Sequence, residues 1–222
     1  MLRCPRGVAG GSSPRSPCGI GDYVMPEVAE QPTPSAERTA ASGRPGWNVV
    51  ATALEESFRD ARELLRRWGP VKGTPYYNVL VMTVEDPLQF LADFAAAVAE
   101  NPGYLNFVSH LFSAQRSFDF TDAGEFEARA REIALGWTGD LAGKRFHVRM
   151  RRRGFKGTLS TPKEERFLDE ALLQALDAAG TPGRVGFEAP VAIGQIETVD
   201  GRAGLSLWSA ADVRRYPFLG VD

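Results

Sequence analysis

The sequence has too few cysteines and histidines for the usual protein metal sites. It contains two of each, and Cys4 and Cys18 both lie in a Gly- and Pro-rich N-terminal stretch. A structural zinc site needs four Cys or His ligands, and a disulfide framework needs several paired cysteines. We therefore expect no metal, no cofactor and no disulfide framework in the folded part of the chain.

Long apolar runs are lacking as well. No stretch approaches the ~18–20 consecutive apolar residues of a membrane-spanning helix, and residues 1–25 have no apolar core of the kind found in a secretory signal. The 26 Lys and Arg nearly balance the 28 Asp and Glu, so a net charge of −2 indicates no particular partner. These absences argue against a helical membrane protein and a secreted one, and we expect a cytoplasmic location.

The N-terminal segment is poor in residues that build a core. Residues 1–46 hold seven Gly and seven Pro but one aromatic residue, Tyr23. Such a segment buries too little apolar surface to offset the entropy lost on ordering, so we expect a disordered tail. Met25 lies within it, and translation from Met1 or from Met25 fits the sequence equally.

The next part of the chain alternates strand and helix signals. Apolar, β-branched runs typical of strands occur at residues 48–54, 76–84 and 105–120. Between the last two runs, Asp86 precedes Pro87, a pattern that predicts an N-cap and a first helical residue. The order strand, helix, strand, helix, strand predicts an α+β fold, with a ferredoxin-like α/β sandwich over residues 47–120.

A second α/β domain is predicted over residues 121–222. Apolar spacing indicates a helix over 122–138, and Thr161 opens a capping-box pattern that predicts another helix. Two strands follow, at about residues 191–199 and 203–208, joined by an Asp-Gly turn. The acidic residues at the start of the second helix are expected to be stabilised by the helix dipole and the later ones to lie on a solvated face. His110 is expected in a partly buried position with its hydrogen bonds satisfied.

Positive charge is concentrated in one segment of this second domain. Seven Lys and Arg and no acidic residue lie between Lys144 and Lys156. The alternation of residues 146–150 places Phe146 and Val148 on one face, so His147 and the arginines are expected on an exposed face. A Gly-containing loop and a helix N-terminus follow, and both favour anions. The segment therefore predicts a phosphate-binding surface, although a solvated basic face balanced by nearby acids fits the same pattern.

Three stretches carry a resemblance to a known family. FHVRMRRRGFKG at residues 146–157, TPKEERFLDEAL at 161–172 and LSLWSAADVRRYPFLGVD at 205–222 resemble the THUMP domain of RNA-modification proteins. They are most similar to the tRNA acetyltransferase adaptor branch, in which a ferredoxin-like domain precedes the THUMP domain. The resemblance implies binding of tRNA at its acceptor stem and 3′ end.

The resemblance also implies which residues bind RNA. The expected contacts are six of the seven basic residues of the segment, namely Lys144, Arg149, Arg151, Arg152, Arg153 and Lys156, and the position of Phe155 in the basic loop adds an aromatic candidate. The arginines and lysines would hold phosphates. Phe155 would stack on an unpaired base, or alternatively pack against the core.

Most THUMP proteins carry a catalytic domain for methylation, thiolation or pseudouridylation, and the THUMP-like part here extends to Asp222. No Gly-rich nucleotide loop follows a predicted strand, and we expect no catalytic residue. The sequence thus predicts a non-catalytic adaptor, not an enzyme, that presents tRNA to a separate modifying enzyme, with cytidine acetylation by an acetyltransferase favoured. The alternatives are a small ferredoxin-like phosphohydrolase with an Arg cluster and a protein–protein interaction module.

Overall fold

The computed structural model describes residues 46–221. The predicted disordered tail, residues 1–46, therefore lies outside the described residues except for Gly46.

A four-stranded antiparallel sheet forms the first half of the described chain. Its elements, in chain order, are β1 (Val49–Ala53), α1 (Phe58–Leu65), β2 (Val71–Gly73), β3 (Val79–Met82), α2 (Pro87–Glu100) and β4 (Val108–Ser113). The strands lie in the spatial order β2-β3-β1-β4. This βαββαβ unit is the ferredoxin-like arrangement.

Local sequence signals account for the helices of this half. The Asp86 side chain caps α2 by accepting hydrogen bonds from the backbone N–H groups of Leu88 and Gln89, as predicted. At the other end, Asn101 and Pro102 end α2 and begin a short 3-10 helix.

A five-stranded mixed sheet forms the second half. Its elements are β5 (Arg116–Asp119), α3 (Ala123–Leu135), α4 (Thr138–Leu141), β6 (Arg145–Arg153), α5 (Thr161–Ala178), β7 (Arg184–Val185), β8 (Ala192–Val199), β9 (Arg202–Ser209) and α6 (Ala210–Arg215). The spatial order is β5-β9-β8-β6-β7, with β6 parallel to β7 and β8. A parallel pair requires a crossover connection, which α5 supplies.

Both faces of the second sheet are covered. One face carries Phe146, Val148 and Met150 of β6, which pack with α3 and α5 in one hydrophobic core. The opposite face contributes Ile193 and Trp208 to the core that α1 and α2 share with the first sheet. The interior strands β6 and β8 therefore have no fully solvated side, which is why β8 is buried along its whole length.

The chain returns to the first half at its C-terminal end. Ser209 and Asp212 form a capping box that begins α6. A short 3-10 helix over Pro217–Leu219 follows, and Phe218 packs edge-to-face on Phe94 of α2 with ring centroids 4.9 Å apart. Residues beyond β9 thus complete the core of the first half.

The predicted fold class is confirmed, with α+β architecture and a ferredoxin-like unit followed by a second α/β unit. The predicted domain division between residues 120 and 121 stays a prediction. β5 lies before this division and pairs with β9 of the second sheet, so strand pairing crosses it.

Candidate nucleic-acid interface

The basic segment forms β6 and the loop that follows it. β6 lies between β8 and the two-residue strand β7. The prediction that His147 is exposed is wrong, because it is only 4% exposed and its ring lies beside Phe187 in the loop after β7. The four arginines from Arg149 to Arg153 are half-buried, with their side chains partly covered.

Arg153 is committed to a buried ionic network. It donates to the Glu197 carboxylate, whose other oxygen pairs with His110 Nε2, and it also donates to Thr52 Oγ1 at 3.2 Å. Glu197 is fully buried. Burial alone would raise the pKa of Glu197, but hydrogen bonds and charges from His110 and Arg153 hold it below its usual range. Since Thr52 and His110 belong to the first sheet, this network joins the two sheets.

Arg151 and Arg152 donate to backbone carbonyls. Arg151 Nη2 lies 2.5 Å from the Gly220 carbonyl oxygen, and Arg152 donates to the Gly154 carbonyl. A guanidinium has five N–H donors, so each side chain keeps donors for another acceptor.

Phe155 packs inward. Its ring lies 4.7 Å from that of Phe120, and it is a half-buried member of the second core. Its backbone has a φ of 51°, a left-handed conformation that lets the loop turn the ring back onto the core. Two roles were predicted for Phe155, stacking on an unpaired base and packing against the core. These contacts are those of a residue packed against the core.

Three of the predicted basic residues have no hydrogen-bonded or ionic side-chain partner within residues 46–221. Lys144 and Lys156 are exposed. The Arg149 guanidinium lies 5.4 Å from the centre of the Phe187 ring, and its buried Nε atom has no hydrogen-bond partner. These three cations are the ones that the fold leaves for an external anion.

The predicted anion site at the start of α5 already holds a carboxylate of the chain itself. Ser160, one residue before the predicted Thr161, is the N-cap, and Glu164 Oε1 accepts from its backbone N–H at 3.4 Å. Glu164 is fully buried, and burial raises its pKa. The helix terminus therefore does not offer an open cradle for a nucleotide phosphate.

The prediction of a solvated acidic face on α5 is wrong for Asp169, which is buried, and Glu165 at the helix start makes a similar contact. The carboxylate of Asp169 accepts from the Val148 N–H at 2.9 Å, and that of Glu165 accepts from the Met150 N–H at 2.8 Å. These two bonds satisfy backbone N–H groups on the edge of β6, beyond the two residues that pair with the short β7. Burial raises the pKa of Asp169 to about 7.

Phe187 is a surface residue that the sequence patterns missed. It follows β7 in the loop that leads to β8 and is 61% exposed. Its ring contacts His147 and Arg149 of β6. An isolated aromatic residue in a Gly- and Pro-containing loop gives no periodic signal, and only the fold brings it to the basic strand.

Residues 46–221 also lack a metal site and a membrane-spanning helix. They contain no group of three or more His, Cys, Asp or Glu side chains placed to hold a metal ion. None of their helices has the length and hydropathy needed to cross a bilayer.

Comparison with known proteins relates this fold to solved structures. No protein-family model and no curated protein matches the chain. PH1313 from Pyrococcus horikoshii is 12% identical with a TM-score of 0.51, and the match covers 72% of this chain and 53% of that one. TrmN from Thermus thermophilus is 19% identical with a TM-score of 0.47, over 72% of this chain and 44% of TrmN.

A third neighbour is a 4-thiouridine synthetase in complex with RNA and ATP. It is 12% identical with a TM-score of 0.45, and the match covers 74% of this chain and 42% of the synthetase. The chain thus spans about half or less of the length of these structures. The likeness to PH1313 shows a related fold and nothing beyond the fold, and the acetyltransferase adaptor branch is not confirmed.

Two predictions are corrected by this comparison. Several further neighbours are described as methyltransferases or methylases. They overturn the prediction of a non-catalytic adaptor serving cytidine acetylation, and with it the prediction that the protein is not an enzyme. The physical reason is that the same fold can form one part of a larger catalytic chain, so a basic surface without recognisable catalytic residues does not indicate an adaptor.

Proposed function

We propose that the described part of this protein binds tRNA as the substrate of a nucleotide-modifying reaction. One observation carries the proposal: a segment with seven basic and no acidic residues forms β6 and its loop, and the fold leaves Lys144, Arg149 and Lys156 without an ionic partner. Unpaired cations spaced along one strand and its loop are positions at which successive phosphates of a nucleic-acid backbone can be neutralised.

The proposal ranks the predicted RNA-binding residues by their contacts. Lys144, Arg149 and Lys156 are proposed as primary phosphate contacts. Arg151 and Arg152 are proposed as secondary contacts, since each retains free donors beside its backbone hydrogen bond. Arg153 acts mainly by holding Glu197, and Phe155 by closing the loop onto the core.

The binding test measures tRNA affinity as a function of salt. Each phosphate contact contributes roughly −0.7 to −0.9 to the slope of log K against log salt. The triple variant Lys144→Ala/Arg149→Ala/Lys156→Ala should therefore bind more weakly and flatten the slope by about two to three units. A matched control, Arg59→Ala/Lys72→Ala/Arg131→Ala, removes three exposed cations from other surfaces.

The control variant has the same net charge as the test variant, so it separates local contacts from overall charge. We expect its slope to remain close to that of the unmodified protein. Equal slopes for the two triple variants would show that the β6 segment is an ordinary solvated face, and would reject the proposal.

The modification itself is tested in the native host. Nucleoside mass spectrometry of tRNA from cells with and without the gene should reveal one modified nucleoside that depends on the protein. The triple variant should restore this nucleoside poorly, and the control variant fully. An unchanged nucleoside profile in the deletion strain would reject a role in tRNA modification.

A further inference from the structure

The loop between β7 and β8 presents an aromatic ring to solvent. Phe187 is 61% exposed and Val191, at the end of the same loop, is 46% exposed. An exposed aromatic side chain costs the fold apolar burial, and no element of residues 46–221 covers it. The role of Phe187 therefore depends on how the loop is held in place and on which side chains lie beside the ring.

The loop is fastened to β6 at several points. Arg145 Nη1 donates to the Glu188 carbonyl at 2.6 Å, and His147 Nδ1 lies 3.3 Å from the Gly186 carbonyl. The Gly186 N–H donates to Phe146 O at 2.9 Å. A Cβ atom on Gly186 would lie 2.7 Å from Arg145 Cδ, so glycine permits the close approach. Phe187 is thus held in place by its neighbours.

The ring lies beside both a cation and an imidazole. The His147 ring centroid is 5.0 Å away at an interplanar angle of 43°, and Arg149 lies 5.4 Å from the ring centre. Burial lowers the pKa of His147, so this neighbour is neutral at physiological pH and Arg149 supplies the positive charge. Arg149 makes no hydrogen bond to any described residue, and its Nε atom is buried.

We propose that Phe187 is a stacking platform for an unpaired RNA base, and that Arg149 contacts a phosphate next to that base. The inference rests on the proposed RNA-binding function and adds the kind of RNA that the site takes. A flat exposed ring offers its face to any base, while the neighbouring guanidinium matches the backbone charge. Exposed Arg184, paired with Arg145 across β7 and β6, extends the positive charge at this edge.

The chemistry around the ring favours RNA with a single-stranded segment over a regular duplex. In a duplex the base faces are occupied by neighbouring bases, so only an unpaired base can stack on Phe187. An apolar protein partner would use the ring as buried area and would not need the unpartnered cation of Arg149. The platform is therefore assigned to an unpaired nucleotide.

The test uses two RNA hairpins with the same stem, one blunt and one with a short single-stranded extension that contains 2-aminopurine. Four full-length variants are compared: Phe187→Ala, Phe187→Leu, Phe187→Trp and, as a control for an exposed apolar residue elsewhere, Leu88→Ala. Leu88 is 51% exposed on α2. Thermal unfolding of each variant verifies the fold, which exposed substitutions leave nearly unchanged.

Loss of one stacked base weakens binding by about 5- to 150-fold. We expect this loss for Phe187→Ala and Phe187→Leu with the extended hairpin alone, while Phe187→Trp and Leu88→Ala bind normally. The 2-aminopurine fluorescence should be quenched by the unmodified protein and by Phe187→Trp, but not by Phe187→Ala.

Three results overturn the platform. The first is wild-type affinity of Phe187→Ala for the extended hairpin. The second is full affinity and full quenching in Phe187→Leu, which would indicate an apolar contact of the kind that a protein partner uses. The third is that Phe187→Ala weakens binding of both hairpins equally. Failure of the unmodified protein to bind either hairpin or tRNA is a different outcome, since it rejects the proposed RNA-binding function on which the platform rests.

Discussion

Neighbouring arginines of β6 differ in what surrounds them, although their chemistry is the same. Arg153 is held by the buried carboxylate of Glu197, whereas Arg149 lies beside an aromatic ring and forms no salt bridge with a described residue. A buried cation with a hydrogen-bonded carboxylate contributes to the integrity of the fold, and an unpartnered cation beside the surface is available to a ligand. Charge density in the sequence therefore identifies the right segment but not the role of each residue.

The first residue-scale prediction concerns Arg153. Arg153→Ala leaves the fully buried Glu197 with His110 as its remaining ionic partner. Removing one member of a buried pair costs about 3–5 kcal/mol, and we expect the free energy of unfolding to fall by an amount of that order. Urea denaturation measures the change. Lys156→Ala, at an exposed position, is the control and should stay within about 0.5 kcal/mol; similar values for both variants would contradict the network's role.

The second residue-scale prediction concerns the pH dependence of stability. The pKa of Asp169 is raised from 3.8 to about 7, first by burial. Between these two values the unfolded chain has lost the proton that the folded protein retains, so this group makes the folded state less stable as pH rises from about 4 to about 7. Below that window the contribution is absent, and above it the full cost is present.

Asp169→Asn tests this sign, because the amide oxygen still accepts from the Val148 N–H but does not titrate. Urea denaturation at a series of pH values should show the variant gaining stability relative to the unmodified protein as pH rises through the window, with the difference levelling off above about pH 7. A difference that is constant across the series would show that Asp169 ionises normally in the folded protein.

At the scale of elements, local patterns predicted what local physics determines. The Asp86 cap and the first helical residue, Pro87, lie within one segment, and the structure confirms both. β2 and β7 have three and two residues, too few for a periodic pattern, and they form because a longer neighbour pairs with them. His147 was misplaced because its alternation is that of a half-exposed strand, whereas the loop after β7, about 40 positions away, lies beside its ring.

The candidate site was predictable to the same extent. The basic segment and its strand–loop–helix order are local features, and the sequence identified them. The pairing of Arg153 with Glu197 crosses 44 positions, and Phe187 reaches Arg149 only after β7 and the return into β8 have formed. Neither contact can be predicted from the local sequence pattern.

The element-scale prediction concerns the C-terminal 3-10 helix. Phe218 is 4% exposed and packs on Phe94, so Phe218→Ala should lower the free energy of unfolding by about 3–5 kcal/mol. Chemical denaturation, monitored by circular dichroism, measures the loss of unfolding free energy. Leu88→Ala, on the exposed side of α2, is the matched control, and a comparably small loss for Phe218→Ala would show that this segment is peripheral to the core.

At the scale of the whole molecule, three features connect the two halves. β5 pairs with β9 across the predicted domain division, residues after β9 complete the core of the first half, and the network of His110, Glu197 and Arg153 bridges the sheets. Each of these contacts would have to break before the two halves could separate. The described chain should therefore unfold as one cooperative unit, even though its two sheets belong to different supersecondary motifs.

The four tryptophans test this expectation without any substitution. Trp68 packs in the first core and Trp137 in the second, while Trp47 and Trp208 lie in cores that include residues from both sheets. Fluorine NMR of protein labelled with 5-fluorotryptophan should give one urea midpoint for all four resonances, because coincident transitions are the mark of two-state unfolding. In Arg153→Ala the midpoints of Trp68 and Trp137 should fall together. A midpoint for Trp137 that differs from that of Trp68 in the unmodified protein would instead show that the two halves unfold independently.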